Sequence, residues 1–226
     1  MCSSDLAIRA HVSASTARMS DTASDSQEQA VAYLKRAISY LISVRPRLIA
    51  IGGLSGTGKS TLAYALAPLV DGLAGAVVLR SDLVRKKLMG ADELVRLPPE
   101  AYRQDVTKRV YREIADTTAG LLNSGCSVIA DAVHGSEDER AGIEGVAQRA
   151  SVSFVGFWLN APPAMLEARV AARSKDASDA DLRVLRQQLC TISAPRDWTK
   201  LDVSGSQAQV LDSVRALLAQ KSNSGS

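Results

Sequence analysis

The sequence predicts an α/β fold in which a five-stranded parallel sheet is covered by helices on both faces. Three observations predict it. Short apolar runs rich in β-branched residues recur at 48–51, 76–79, 127–130, 152–159 and 198–203, the length and character of buried strands. Segments with apolar residues at helical spacing lie between them, and such alternation of strand and helix marks a doubly wound sheet. The first run breaks into a glycine-rich loop and then into a helical pattern, the order in which these folds build an anion site.

Residues 1–27 are rich in Ser, Thr, Ala and Asp without apolar periodicity, which reads as a disordered tail. Arg9, His11 and Arg18 among serines hint at a transit peptide, but Asp5, Asp21 and Asp25 argue against one. Met1 and Met19 are both candidate starts. Over 28–45, Val31, Leu34, Ile38, Leu41 and Ile42 recur at helical spacing, which predicts an amphipathic linker helix whose apolar face needs a partner. The main domain is then 46–220, and 221–226 reads as a second disordered tail.

Within that domain a helix is expected from Lys59 to about residue 70, and a turn over 71–75. Ser81 or Asp82 is suited to cap a short helix after the second strand. Pro98 and Pro99 mark a loop, and a long helix follows over 101–122 with Val106, Val110, Ile114, Thr117 and Leu121 on one face. Gly125 ends it before the third strand, which closes on Asp131. Helices are expected over 137–149, 162–173, 180–189 and 210–218, with a polar, turn-like stretch over 175–181.

Composition narrows the class. At 226 residues, with 46% hydrophobic and 23% charged residues, the chain fits one soluble globular domain. A net charge of +3 does not by itself argue for nucleic acid. Cys2, Cys126 and Cys190 are far apart, with no C-x-x-C pair and no His beside them. They make neither a zinc site nor a disulfide framework, so a reducing, cytoplasmic setting is expected. No run approaches the length of a membrane span.

The run GLSGTGKS at 53–60 fits G-x-x-x-x-G-K-[ST], the phosphate-binding loop. Gly53, Gly56 and Gly58 can turn backbone N–H groups, including those of Ser55 and Thr57, inward on an anion. The helix starting at Lys59 adds the unpaired N–H groups of Lys59, Ser60 and Thr61 and the positive end of its dipole. Lys59 can reach the β- and γ-phosphates, and the Ser60 hydroxyl can ligate Mg²⁺. With the strand before it and the helix after it, the motif implies a bound nucleoside triphosphate.

Ligands bind at the carboxyl ends of strands in such a sheet. That rim brings Asp82, after the second strand, and Asp131, closing the third, toward the triphosphate. Asp82 is a candidate general base for a substrate hydroxyl, and also a candidate helix cap. Arg85, one turn on, could orient the acceptor or neutralise phosphate charge. Asp131 has the form of a Walker B carboxylate that holds Mg²⁺, with loop capping as the plainer reading. Arg169 and Arg173 share a helix face and suit a lid that neutralises charge in phosphoryl transfer, with a solvated basic face as the alternative. Arg80, Arg103, Lys108, Arg109 and Arg112 read as surface charges, and His134 as either a pocket wall or incidental.

Together these residues resemble the P-loop small-molecule kinases grouped with zeta toxins, gluconate kinase and the kinase half of polynucleotide kinase. The likeness rests on 53–61, Asp82-x-x-Arg85, the strand end at Asp131 and Arg169-x-x-x-Arg173. A narrower likeness, over RLIAIGGLSGTGKSTLAYALAP, GAVVLRSDLVRKKLMG and SVIADAVH, is to a bacterial ATP-binding kinase domain usually fused behind an aminoglycoside-phosphotransferase-like domain. The resemblance implies the P-loop NTPase fold, a three-layer α/β/α sandwich with a short helical lid, and an AAA-type ATPase or kinase. It implies Mg·ATP as donor and a small-molecule hydroxyl as acceptor. It further implies that Asp82 and Arg85 hold the acceptor, that Arg169 and Arg173 form the lid, and that 198–205 lies near the adenine. An upstream or partner phosphotransferase-like domain is the expected companion. Two alternatives stand beside this reading: an ATP-hydrolysing switch module, which would not need Asp82, and a nucleic-acid 5′-hydroxyl kinase, disfavoured by an aromatic content of 4%. A zeta-like toxin acting on a nucleotide sugar is a further variant.

Overall fold

The computed structural model describes residues 3–17, 23–41, 45–70, 75–172 and 177–223. Contacts divide the chain into two compact units, Met1–Arg45 with Asp71–Ala74, and Pro46–Val70 with Gly75–Ser226.

In the first unit, α1 (Ser3–Ala17) and α2 (Ala23–Leu41) pack on one another. Of the first 27 residues, the described ones, 3–17 and 23–27, are therefore helical where a disordered tail was expected. The physical reason is a buried seam of one leucine and three alanines, Leu6 and Ala10 on α1 and Ala30 and Ala37 on α2. With alanine at three of these four positions, composition hid that seam. The apolar face expected to be covered is instead open, with Val31, Leu34 and Ile38 between 46% and 50% exposed. Ile42 lies outside the described residues.

The second unit is the expected α/β sandwich. Strands β1 (Arg47–Gly53), β2 (Ala76–Arg80), β3 (Ser127–Asp131), β4 (Ser153–Asn160) and β5 (Thr199–Asp202) form one sheet in the order β2-β3-β1-β4-β5, with every neighbouring pair parallel. On β1, Ile49 and Ile51 face a core shared with α3 (Lys59–Leu66), α7 (Pro163–Ala171), α8 (Leu182–Thr191) and α9 (Gln207–Asn223). Leu48 and Ala50 face a second core shared with α5 (Gln104–Asn123) and α6 (Glu137–Arg149). All four β1 side chains are fully buried, each Leu or Ile contributing about 1.5–3 kcal/mol. That double burial explains why the strand reads as a continuous apolar run.

Several boundaries moved. Pro68 lacks an N–H to continue the helix, so α3 gives way to a 3₁₀ turn over Ala67–Leu69. Pro99 opens a 3₁₀ turn, Pro99–Tyr102, and α5 begins only at Gln104. Neither Ser81 nor Asp82 caps α4 (Ser81–Leu88): the cap position is Arg80, and it has no side-chain bond. By contrast α6 carries a full capping box, Ser136 with Glu139. At the carboxyl end, residues 221–223 continue α9 instead of fraying, and 224–226 lie outside the described residues.

Candidate active site

The strand order determines what can meet. β1 lies centrally, with β2 at one edge of the sheet and β5 at the other. The loop after β1 therefore lies between whatever follows β2 and β3 and whatever follows β5. One cavity of about 1040 Å³ spans this rim, larger than a site for one small ligand needs.

Its floor is the phosphate loop. Gly56 and Gly58 have φ of 84° and 85°, and a Cβ on Gly56 would lie 2.9 Å from the Leu166 carbonyl oxygen. Backbone strain and lack of space both demand glycine there. Gly58 caps α3 without a side-chain bond, so the first N–H groups of the helix stay open to an anion. Lys59 Nζ donates to the Leu54 carbonyl oxygen at 2.9 Å, which holds the ammonium over the loop. Ser55, Gly56, Thr57, Gly58, Lys59, Ser60 and Thr61 all line the cavity, but two N–H groups expected to face an anion are spent within the chain, that of Ser55 on Gln188 Oε1 at 2.9 Å and that of Thr57 on the Leu54 carbonyl oxygen at 3.3 Å. Gly53, with φ of 139°, shapes the turn beneath the cavity.

On the side of β2 and β3 the walls include Asp82, Arg85, Tyr102, Tyr111, Asp131 and Glu139. Asp82 and Asp131 thus reach the same space as Lys59 and Ser60. Burial pushes the Asp131 carboxyl above the usual carboxylate range; Lys59, the Ser60 hydroxyl and Arg80 pull it back, and the Asp82 charge pushes it further up. Ser60 and Asp131 supply oxygen ligands, the donors that suit Mg²⁺ when phosphates and water complete the shell. Among the described residues no group of three His, Cys, Asp or Glu side chains forms a metal cage of its own.

Arg85 is buried. Its guanidinium donates to the Ala101 carbonyl oxygen at 2.6 Å and to Thr107 Oγ1 at 3.3 Å, and it lies 4.8 Å from the Tyr102 ring centre. It touches the cavity while bracing the wall behind it. Arg80, read from sequence as a surface charge, is a correction. Its Nε lies 3.5 Å from Asp131 Oδ2, and a terminal nitrogen lies 3.9 Å from Asp82 Oδ2. Strand register explains this, because Arg80 pairs directly with Asp131 across β2 and β3. A charged residue ending a strand beside the site was the signal available.

On the β5 side, Arg169 donates to the Val203 carbonyl oxygen at 3.0 Å and lines the cavity with Val203, Gly205 and Val210. It is thereby tied to the loop after β5. Arg173 lies outside the described residues. Of the stretch expected beside the adenine, Val203 and Gly205 reach the cavity but Trp198 does not. Trp198 is buried in the core, where its Nε1 donates to Glu144 at 2.6 Å and a Cβ on Gly156 would come within 2.5 Å of its ring.

The polar stretch expected to be turn-like over 175–181 is anchored in its described part, 177–181. Asp179 accepts from Lys86 Nζ at 3.3 Å, from the Leu97 N–H at 3.0 Å and from the Tyr102 hydroxyl at 2.6 Å. Burial would raise the Asp179 carboxyl, but the Tyr102, Leu97 and Lys86 bonds and the Lys86 charge outweigh it and hold it low. Asp181 caps α8 through the Val184 N–H and pairs with Arg96 at 2.9 Å. His134 is fully buried with φ of 50°, so it is no pocket wall. Burial lowers its ring to a pKa of about 3.

A P-loop NTPase fold is what this sheet order and loop define. The sequence profile of the AAA_33 family of AAA domains matches residues 48–195, and the chain belongs to that family. An uncharacterized protein of Mycobacterium tuberculosis (strain H37Rv) is 32% identical over 171 residues, 74% of this chain and 34% of that protein. A Mycobacterium bovis protein matches with the same figures. The chain spans about a third of the length of these relatives. Among solved structures, a gluconokinase from Sinorhizobium meliloti 1021 superposes with a TM-score of 0.58 at 20% identity, covering 80% of this chain and 95% of that one. The Mycobacterium tuberculosis APS kinase, solved with AMPPNP and APS, gives 0.58 at 21% identity, covering 77% and 98%. At these identities the likeness is one of fold.

Proposed function

We propose that the chain is an ATP-dependent kinase that moves the γ-phosphoryl group of Mg·ATP to a hydroxyl of a small molecule. The observation that carries this reading is the placement of Asp82 and Asp131 in one cavity with Lys59 and Ser60. A pure nucleotide switch needs the loop and Asp131; a carboxylate at the Asp82 position adds a proton acceptor beside them.

In this scheme the N–H groups of Gly56 and of Gly58 to Thr61 cradle the β- and γ-phosphates, and Lys59 neutralises their charge. Ser60 and Asp131 hold Mg²⁺, which when bound offsets charge on the phosphate oxygens. Asp82, with its side chain 32% exposed, takes the proton of the acceptor hydroxyl. That oxygen bonds to the γ-phosphorus as the bridging P–O bond breaks, and ADP departs with the electron pair. Arg80 keeps the two carboxylates from repelling one another apart. Arg85 orients the acceptor by holding the wall formed by Ala101 and Tyr102. Arg169, beside Val203, and Arg173 balance charge on the nucleotide side.

The structural relatives, a gluconokinase and an APS kinase, support a small hydroxyl compound as acceptor. Relatives more than twice as long as this chain support a companion domain in the working protein, which we take to be phosphotransferase-like. Among the described residues no helix is long and apolar enough to cross a membrane, and we place the protein in the cytoplasm.

The test is Asp82→Asn, which keeps shape and removes the base. Transfer should fall roughly 100- to 10,000-fold with ATP affinity little changed. Unchanged turnover would sink the base assignment and favour the switch module.

A further inference from the structure

Helix α8 carries one polar side chain across to the phosphate loop. Gln188 Oε1 accepts the Ser55 backbone N–H at 2.9 Å. A backbone N–H only donates, so the atom facing it must be the side-chain oxygen, and the amide Nε2 with its two protons is left over. No described residue takes a hydrogen bond from that Nε2. Gln188 lines the same cavity as Lys59, Asp82 and Asp131. An amide donor is therefore held at the rim, open to the cavity.

The placement is firm and specific. Leu185, one turn earlier on α8, is fully buried, and Asp181 caps the helix start. At its far end Ile192 packs so closely on Gly135 that a Cβ there would lie 2.8 Å away. Along the loop, Ser55 follows Leu54, whose carbonyl oxygen holds the Lys59 ammonium. That ammonium serves the β- and γ-phosphates, so Gln188 stands next to the terminal-phosphate end of the loop. Its bond to Ser55 spans 133 positions of sequence.

We propose that Gln188 recognises the terminal phosphoryl group of the nucleotide: the Ser55 N–H orients its carbonyl, and its Nε2 donates to a γ-phosphate oxygen. Gln188 thereby distinguishes a triphosphate from a diphosphate. This inference rests on the kinase reading for its purpose, but its test needs no acceptor, so the two can fail separately.

The experiment compares the affinities of a non-hydrolysable ATP analogue and of ADP in wild type, Gln188→Glu and Gln188→Met, by titration calorimetry. Glu keeps an oxygen for the Ser55 N–H but loses the donor and adds negative charge. Met is neutral, similar in length and makes neither bond. Loss of one charge-assisted hydrogen bond should weaken the triphosphate analogue about 10-fold or more, with ADP affinity unchanged in Gln188→Glu. Gln188→Met should lose the same preference if Glu disturbs folding. A folded variant that keeps the wild-type ratio of triphosphate to diphosphate affinity overturns the inference and leaves Gln188 a structural clasp. Absence of transfer to any hydroxyl compound in wild type would instead count against the kinase reading alone.

Discussion

The donor and acceptor halves of the cavity are built in different ways. The donor half is backbone: glycines with positive φ, open N–H groups at the start of α3, and Lys59 held by a neighbour five positions away. The acceptor half is a web of side chains from distant parts of the chain. Lys86 and Asp179 are 93 positions apart, Tyr102 and Asp179 are 77 apart, and Arg85 reaches Ala101 and Thr107. A backbone site is written in one contiguous motif. A side-chain web is written nowhere contiguous, and it can be redrawn without disturbing the loop beneath it.

The largest effect should come from breaking the donor half. Lys59→Ala removes the only ammonium over the loop that the motif assigns to the phosphates, and turnover should fall on the order of 1,000-fold. Steady-state ADP release measures it, and undiminished ATP binding and hydrolysis would mean the loop is misassigned.

Next comes the acceptor half, where the expected loss is one of stability. Lys86→Met leaves the Asp179 carboxylate buried without its ammonium, which should cost about 3 kcal/mol in urea unfolding. Asp179→Asn in the same protein should recover part of that loss by removing the stranded charge. A Lys86→Met protein within about 0.5 kcal/mol of wild type would show that the Lys86–Asp179 pair does not hold the two segments together.

The most gradual effect is a pH slope at the boundary of the halves. His134 titrates near 6.5 when unfolded and at about 3 when folded, so between those values the unfolded chain binds the extra proton. Stability therefore rises with pH across that window and is lost as pH falls, by at most about 1.4 kcal/mol per pH unit. His134→Phe should flatten the stability profile between pH 6.5 and 4. An identical slope in that variant would remove His134 from the account.

The same contrast explains how much the sequence disclosed. The five strands, the phosphate loop and Asp131 at a strand end were legible because each is local, a run or a spacing. Asp82 was legible from its place after the second strand, though not its freedom from capping, which depended on where α4 starts. Arg80 was misread because its role comes from register with Asp131 on another strand. Gln188 and Asp179 carried no local signal at all. Trp198 looked like a pocket residue and is core, since only the glycines Gly52 and Gly156 on neighbouring strands leave room for its ring. The α1–α2 pair went unseen because alanines make up most of its buried seam, with Leu6 as the one long apolar residue among the buried residues described there.

The central claim, a transfer reaction with Asp82 as its base, is met most directly by one measurement. ADP release is followed for wild type and Asp82→Asn across sugars, aminoglycosides, nucleosides and nucleotide sugars, each against the acceptor-free rate. The account predicts at least one compound that raises the wild-type rate above that background and leaves Asp82→Asn at it. A flat screen over clear basal hydrolysis, with both proteins alike, would contradict it.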